Sequence, residues 1–136
     1  MKKLLALTMI ALITYSCKKD EAATCTWQNS TLNDKTYKIT KIVTAGIDVT
    51  TVSQSFDPCL KNSATFNASG TITETLVSGC SSATINGASW KTHTAAGKNY
   101  LIIGTDTTLI NSFDCNSVTT SETLGTSTTL TTWTKQ

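Results

Sequence analysis

Arginine is missing from this chain of 136 residues, and proline and histidine occur once each, at Pro58 and His93. Charged side chains make up 15% of the sequence and aromatic ones 7%. Each shortage excludes something. Arginine reads phosphate and guanine with two parallel donors, so its absence removes the best tool for holding nucleic acid. The lysines do not replace it. Eleven lysines face nine acids, and nine face nine if Lys2 and Lys3, in the N-terminal segment read below as a leader, are removed with it. A chain so balanced has no basic field for phosphates, and no nucleic-acid partner is expected. One histidine among threonines reads as a rim or surface residue, since a triad needs it joined to a particular serine and acid. The acids Asp34, Asp48, Asp57, Glu74, Asp106, Asp114 and Glu122 stand singly. Their spacing marks neither a glycosidase pair nor a calcium loop. The expectation is a protein that is not an enzyme and has no cofactor.

The leader is the most informative segment. Met1, Lys2 and Lys3 form a positive start, and the ten residues Leu4 to Ile13 are mostly apolar. Such a run suits a signal peptide and falls short of the roughly 20 residues that span a bilayer. Tyr15-Ser16-Cys17 follows, then Lys18-Lys19-Asp20-Glu21. This stretch resembles the lipobox of bacterial lipoproteins, with Thr14 where a leucine is usual. The resemblance implies cleavage after residue 16 and lipidation of Cys17 with acyl chains such as palmitate. Two or more chains anchor a protein stably where one does not. Residues 17–31 would then be a lipidated tether, and residues 32–136 the folded domain. The lysine-plus-acid cluster is similar to signals that direct lipoproteins to the outer face of the outer membrane, so the expected site is the outer membrane, on its periplasmic or its surface side.

Four cysteines remain after Cys17: Cys25, Cys59, Cys80 and Cys115. An even number in an exported chain points to disulfides, with three pairings open. Cys59 with Cys80 is favoured, because a hairpin between them returns the chain on itself. Cys25 with Cys115 would then staple the N-terminal segment to the body. No C-x-x-C pair is present, so a metal site is not expected.

The body reads as strands. Roughly a fifth of the chain is threonine, whose branched Cβ suits a pleated surface. Alternation and turn residues predict strands at 35–44, 47–53, 63–68, 71–77, 88–94, 99–104, 107–113, 117–124 and 126–134. No helix pattern stands out beyond the leader. Even spacing of this kind predicts an all-β antiparallel barrel of about eight strands or a sandwich. The inner face is predicted to carry Ile39, Phe66, Ile72, Trp90, Leu101, Ile103 and Leu130, with the threonines outside. Trp27 lies before the first strand, near Cys25.

The run Leu32 to Ile42 resembles the opening strand of bacterial lipocalin-like domains, which are small barrels carried on lipoprotein anchors. Cys59-Leu60-Lys61-Asn62, the stretch Ala64 to Thr71, then Cys80 and Gly87-Ala88-Ser89-Trp90 are also similar to that family's pattern. Tyr37 stands where many members carry tryptophan, and Cys25 and Cys115 are outside the pattern. The resemblance implies a lipocalin-like barrel, monomeric, with a cup for a small apolar ligand. Tyr37, Phe66, Trp90 and Tyr100 are the ligand-binding candidates. The competing expectation is a filled barrel that acts through its surface, as an accessory subunit, inhibitor or adhesin.

Overall fold

The computed structural model describes residues 25–80 and 85–136. The expected signal peptide, Cys17 and most of the tether lie outside the described residues. A short helix α1 (Asn29–Leu32) precedes strand β1 (Lys35–Thr44) and the two-residue strand β2 (Ile47–Asp48). Helix α2 (Thr50–Phe56) and a 3-10 turn (Pro58–Lys61) follow. The rest is strand: β3 (Ser63–Phe66), β4 (Ile72–Thr75), β5 (Trp90–Ala95), β6 (Lys98–Ile103), β7 (Asp106–Phe113), β8 (Ser117–Leu124) and β9 (Ser127–Lys135). They form one antiparallel sheet in the order β4-β3-β1-β9-β8-β7-β6-β5, with β2 beside the upper part of β1. The expected all-β, barrel-like fold is what forms.

The sheet curls until its two ends meet along a short seam. Ile72 N donates to Ala88 O at 2.9 Å, Gly87 N to Ile72 O at 2.7 Å, and Trp90 N to Gly70 O at 2.9 Å. Closure matters because an open strand edge leaves backbone groups free to pair with other chains. Below the seam, Asn29 covers the edge of β5. Its Oδ1 accepts from Thr92 N and Thr92 Oγ1, each at 2.7 Å.

Tight turns join the strands. At Ala45-Gly46 and Ala96-Gly97 both residues have positive φ, 50° and 83° in the first pair and 50° and 72° in the second. These are mirror-image two-residue turns, whose twist matches that of the flanking strands. Glycine holds that conformation freely, whereas alanine does so at a cost of about 1 kcal/mol. On the outer face threonines pair across strands: Thr36 with Thr65 at 2.8 Å and Thr119 with Thr132 at 3.1 Å between hydroxyl oxygens. Such cross-strand pairs are the local unit of sheet stabilisation.

The structure departs from the predicted strands at one place. Residues 47–53 form two residues of strand and then the start of α2. Asp48 Oδ1 accepts from Thr50 N at 3.0 Å and from Thr50 Oγ1 at 2.6 Å, which turns the chain away from the sheet. Those bonds also hold the Asp48 carboxyl below its ordinary pKa. The turned segment then substitutes for a strand. Ile42 N donates to Thr50 Oγ1 at 2.7 Å, and Val49 N donates to Ile42 O at 2.9 Å. Backbone groups of β1 between its β3 and β2 pairings are thereby satisfied.

Both ends of the barrel have distinct architecture. At one end Trp27 is buried, donates through Nε1 to Tyr100 O at 3.1 Å and meets Phe113 edge to face at 4.9 Å. Leu32 is 1% exposed beside it in the core. The Cys25–Cys115 disulfide, Cα atoms 5.4 Å apart, fastens this plug to the β7–β8 turn. Asp114 orders the same turn, accepting from Asn116 N and Ser117 N at 2.7 Å, and these bonds lower its pKa. At the other end Cys59–Cys80, Cα atoms 5.6 Å apart, ties the 3-10 turn to the chain leaving β4. Buried Asn62 reinforces it. Its Nδ2 donates to Glu74 Oε1 at 2.9 Å and its Oδ1 accepts from Val77 N at 3.0 Å. This second end is the mouth.

Candidate functional site

Between the plug and the mouth the barrel holds a cavity of about 240 Å³. Its floor and walls are largely apolar: Leu32 from α1, Tyr37 and Ile39 from β1, Phe66 from β3, Leu101 and Ile103 from β6, Val118 from β8 and Trp133 from β9. Thr108, Thr120, Thr131 and Glu122 supply the polar part of the lining. A second recess of about 310 Å³ shares Ile39, Ile85 and Trp133 with it and reaches Asp57, Asn62 and Glu74 under the 3-10 turn.

Period-two alternation accounts for most of this lining, and two bulges account for the rest. β1 shifts register against β9 between Ile39 and Lys41, and β7 against β8 between Ile110 and Ser112. An extra residue flips the face of everything beyond it. Hence Ile42 is buried together with Tyr37 and Ile39, although strict alternation put it on the opposite face from them. Likewise Phe113 reaches the core after Ile110.

The four ligand-binding candidates from the sequence do not fall together. Tyr37 and Phe66 line the cavity, with ring centroids 5.9 Å apart, edge to face. Trp90 lies behind Phe66, centroids 5.2 Å apart, and donates through Nε1 to Asn67 O at 3.1 Å. It supports the wall without lining the cavity. Tyr100 is on the outer face beside His93, its register partner on β5, because its neighbour Leu101 points inward. Leu130 corrects the predicted inner face in the same way, since Thr131 and Trp133 take the inner positions of β9. Trp133, one of the aromatics the sequence offers as lining, does line the cavity, whereas sequence reasoning missed Val118 and Glu122. The alternation Val118-x-Thr120-x-Glu122 was visible, but threonine-rich strands look alike on both faces.

Tyr37 is the singular group of the site. It is 1% exposed, and its hydroxyl finds no hydrogen-bond partner among the described residues. Burial, and then the Asp114 carboxylate, push its pKa up, so the phenol stays a neutral donor. Leaving a buried hydroxyl unpaired costs about 1–3 kcal/mol. Tyr37→Phe is therefore expected to stabilise the ligand-free domain by about 1 kcal/mol or more, read as a higher urea midpoint. A lower midpoint would show that the hydroxyl has a partner in solution.

Among the described residues no grouping of His, Cys, Asp and Glu can hold a metal ion. No protein-family model, curated protein or solved structure matches the chain.

Proposed function

We propose that this chain is an envelope lipoprotein, anchored through Cys17 at the outer membrane, whose lipocalin-like barrel binds a small, mainly apolar molecule. One observation carries the binding reading. The barrel is not filled by its own side chains, and the space left is lined by apolar groups with a few polar ones at defined places. That composition is what small-molecule sites have. At about 30 Å³ per water, the cavity holds about eight waters' worth of volume. A single ring or a short chain fits a volume of that size. Two disulfides support export, since such bonds persist in oxidising compartments. Cys25 sits at the plugged end, so an anchor at Cys17 would join the barrel from that side.

Trp133 emission provides the test. Titration of the mature domain with cyclohexanol, toluene and short fatty acids is expected to give saturable changes that Trp133→Phe removes and Trp27→Phe keeps. Absence of any response across the series would overturn the reading.

A second reading has its own observation. Ile47, Val52, Phe56 and Leu124 are exposed, Phe56 at 87% and Leu124 at 84%. Ile47 and Leu124 belong to hairpins joined by a bond from Ala45 N to Thr128 O at 3.1 Å. Exposed apolar groups gathered near one end favour contact with a protein partner.

A further inference from the structure

We infer that the cup selects an organic cation: a small apolar body carrying an ammonium group that rests at the rim on Glu122. This deepens the binding reading and rests on it. Strand β8 presents three inward positions in rising order, Val118, Thr120 and Glu122. Two-residue steps along a strand advance about 7 Å, so polarity climbs from hydrocarbon to hydroxyl to carboxylate over about 13 Å. Val118 is 4% exposed at the deep end, whereas Glu122 is exposed at the rim. A ligand matching that gradient is amphipathic, with its polar head outward.

The sign of the head follows from the charges. The lining of the cup, of the second recess and of the outer recess beside Glu122 includes Glu122, Asp106, Asp57 and Glu74, and no lysine or histidine. The chain as a whole is not acidic, so this is segregation. Lys61 borders the mouth on the 3-10 turn without lining it. Two of the four acids have structural tasks. Glu74 accepts from Asn62 Nδ2 and Ile85 N, and Asp57 accepts from Cys59 N. Glu122 and Asp106 have no such partner among the described residues. A concave site lined by one sign of charge concentrates the opposite ion. The rings of Tyr37, Phe66 and Trp133 lie deeper in the same cup, beside Val118, where they would pack against the ligand's apolar body. Independently, the unpartnered Tyr37 hydroxyl marks the floor as a place where a polar atom of a bound molecule would relieve a cost.

Three molecules of one skeleton separate the possibilities: 2-phenylethylamine, 2-phenylethanol and phenylacetate. Calorimetric titration of the mature domain at low salt is expected to rank them in that order, the amine about fivefold tighter than the alcohol. In 1 M salt, where the screening length is about 3 Å, the amine's advantage should shrink towards one. Glu122→Gln should abolish the advantage, so that the amine and 2-phenylethanol bind that variant with equal affinity. If that variant failed to fold, the salt series on the wild-type domain would decide alone. Equal binding of amine and alcohol, or preference for phenylacetate, would overturn the cation inference while the cup reading stood. No binding of any of the three would overturn both.

Discussion

Replacing Cys25 and Cys115 together by serine is expected to be among the most damaging changes the domain can undergo. The bond closes a loop with a sequence separation of 90 residues. On the chain-entropy account, opening such a loop costs about 4–5 kcal/mol, against about 3 kcal/mol for a loop the size of that closed by Cys59–Cys80. The native state loses as well, because Trp27 and its contact with Phe113 are held next to that bond. Equilibrium urea denaturation of the two serine double variants checks both the size and the order. A larger loss from removing Cys59–Cys80 would show that the plug contributes little and that the β3–β4 end governs stability. Domains of this kind are stable by only about 5–15 kcal/mol, so the plug-end variant is expected to populate unfolded chains at 37 °C.

Trp90→Ala is the second large effect. The ring is 5% exposed and belongs to the main hydrophobic cluster. Truncating a buried tryptophan costs about 3–5 kcal/mol, part of it for the void that remains. Here the void would open directly behind Phe66, so the wall of the cup should slacken and its binding weaken along with stability. Trp90→Phe separates the two contributions. It keeps an aromatic ring near Phe66 and loses the bond to Asn67 O, with an expected cost of about 1–2 kcal/mol. Thermal melts of both variants measure this. A Trp90→Ala domain that melts with the wild type would contradict the assignment of Trp90 to the structural wall.

Much of the architecture could be read from sequence because strands and turns announce themselves locally. β1 and β8 have the predicted bounds, and most other strands differ by one or two residues. The two disulfide pairs follow the favoured reading of the spacings. What sequence hides is parity. One extra residue after Ile39 moves Ile42 to the inner face, and the choice between Leu130 and Thr131 on β9 turns on pairing with β1. Nothing in Leu-Thr-Thr-Trp states which side is the core until Trp133 is paired with Ile39. The helix at residues 50–56 was hidden for a different reason. Thr50-Thr51-Val52 has strand propensity, and the Asp48 turn overrides it. The cup itself was only implied by fold, since whether a barrel of this size is hollow depends on the sum of its inward side chains.

The central claim is that a small apolar molecule enters this cup, and methyl chemical shifts test it most directly. The side chains divide cleanly into a lining set, Ile39, Leu101, Ile103 and Val118, and an exposed set outside, Ile47, Val52 and Leu124. Titration of methyl-labelled mature domain with indole is expected to move the lining methyls together along one saturation curve, while the exposed methyls stay in place. Movement confined to Ile47, Val52 and Leu124, or no saturable movement at all, would contradict the cup and transfer the function to the surface at the mouth.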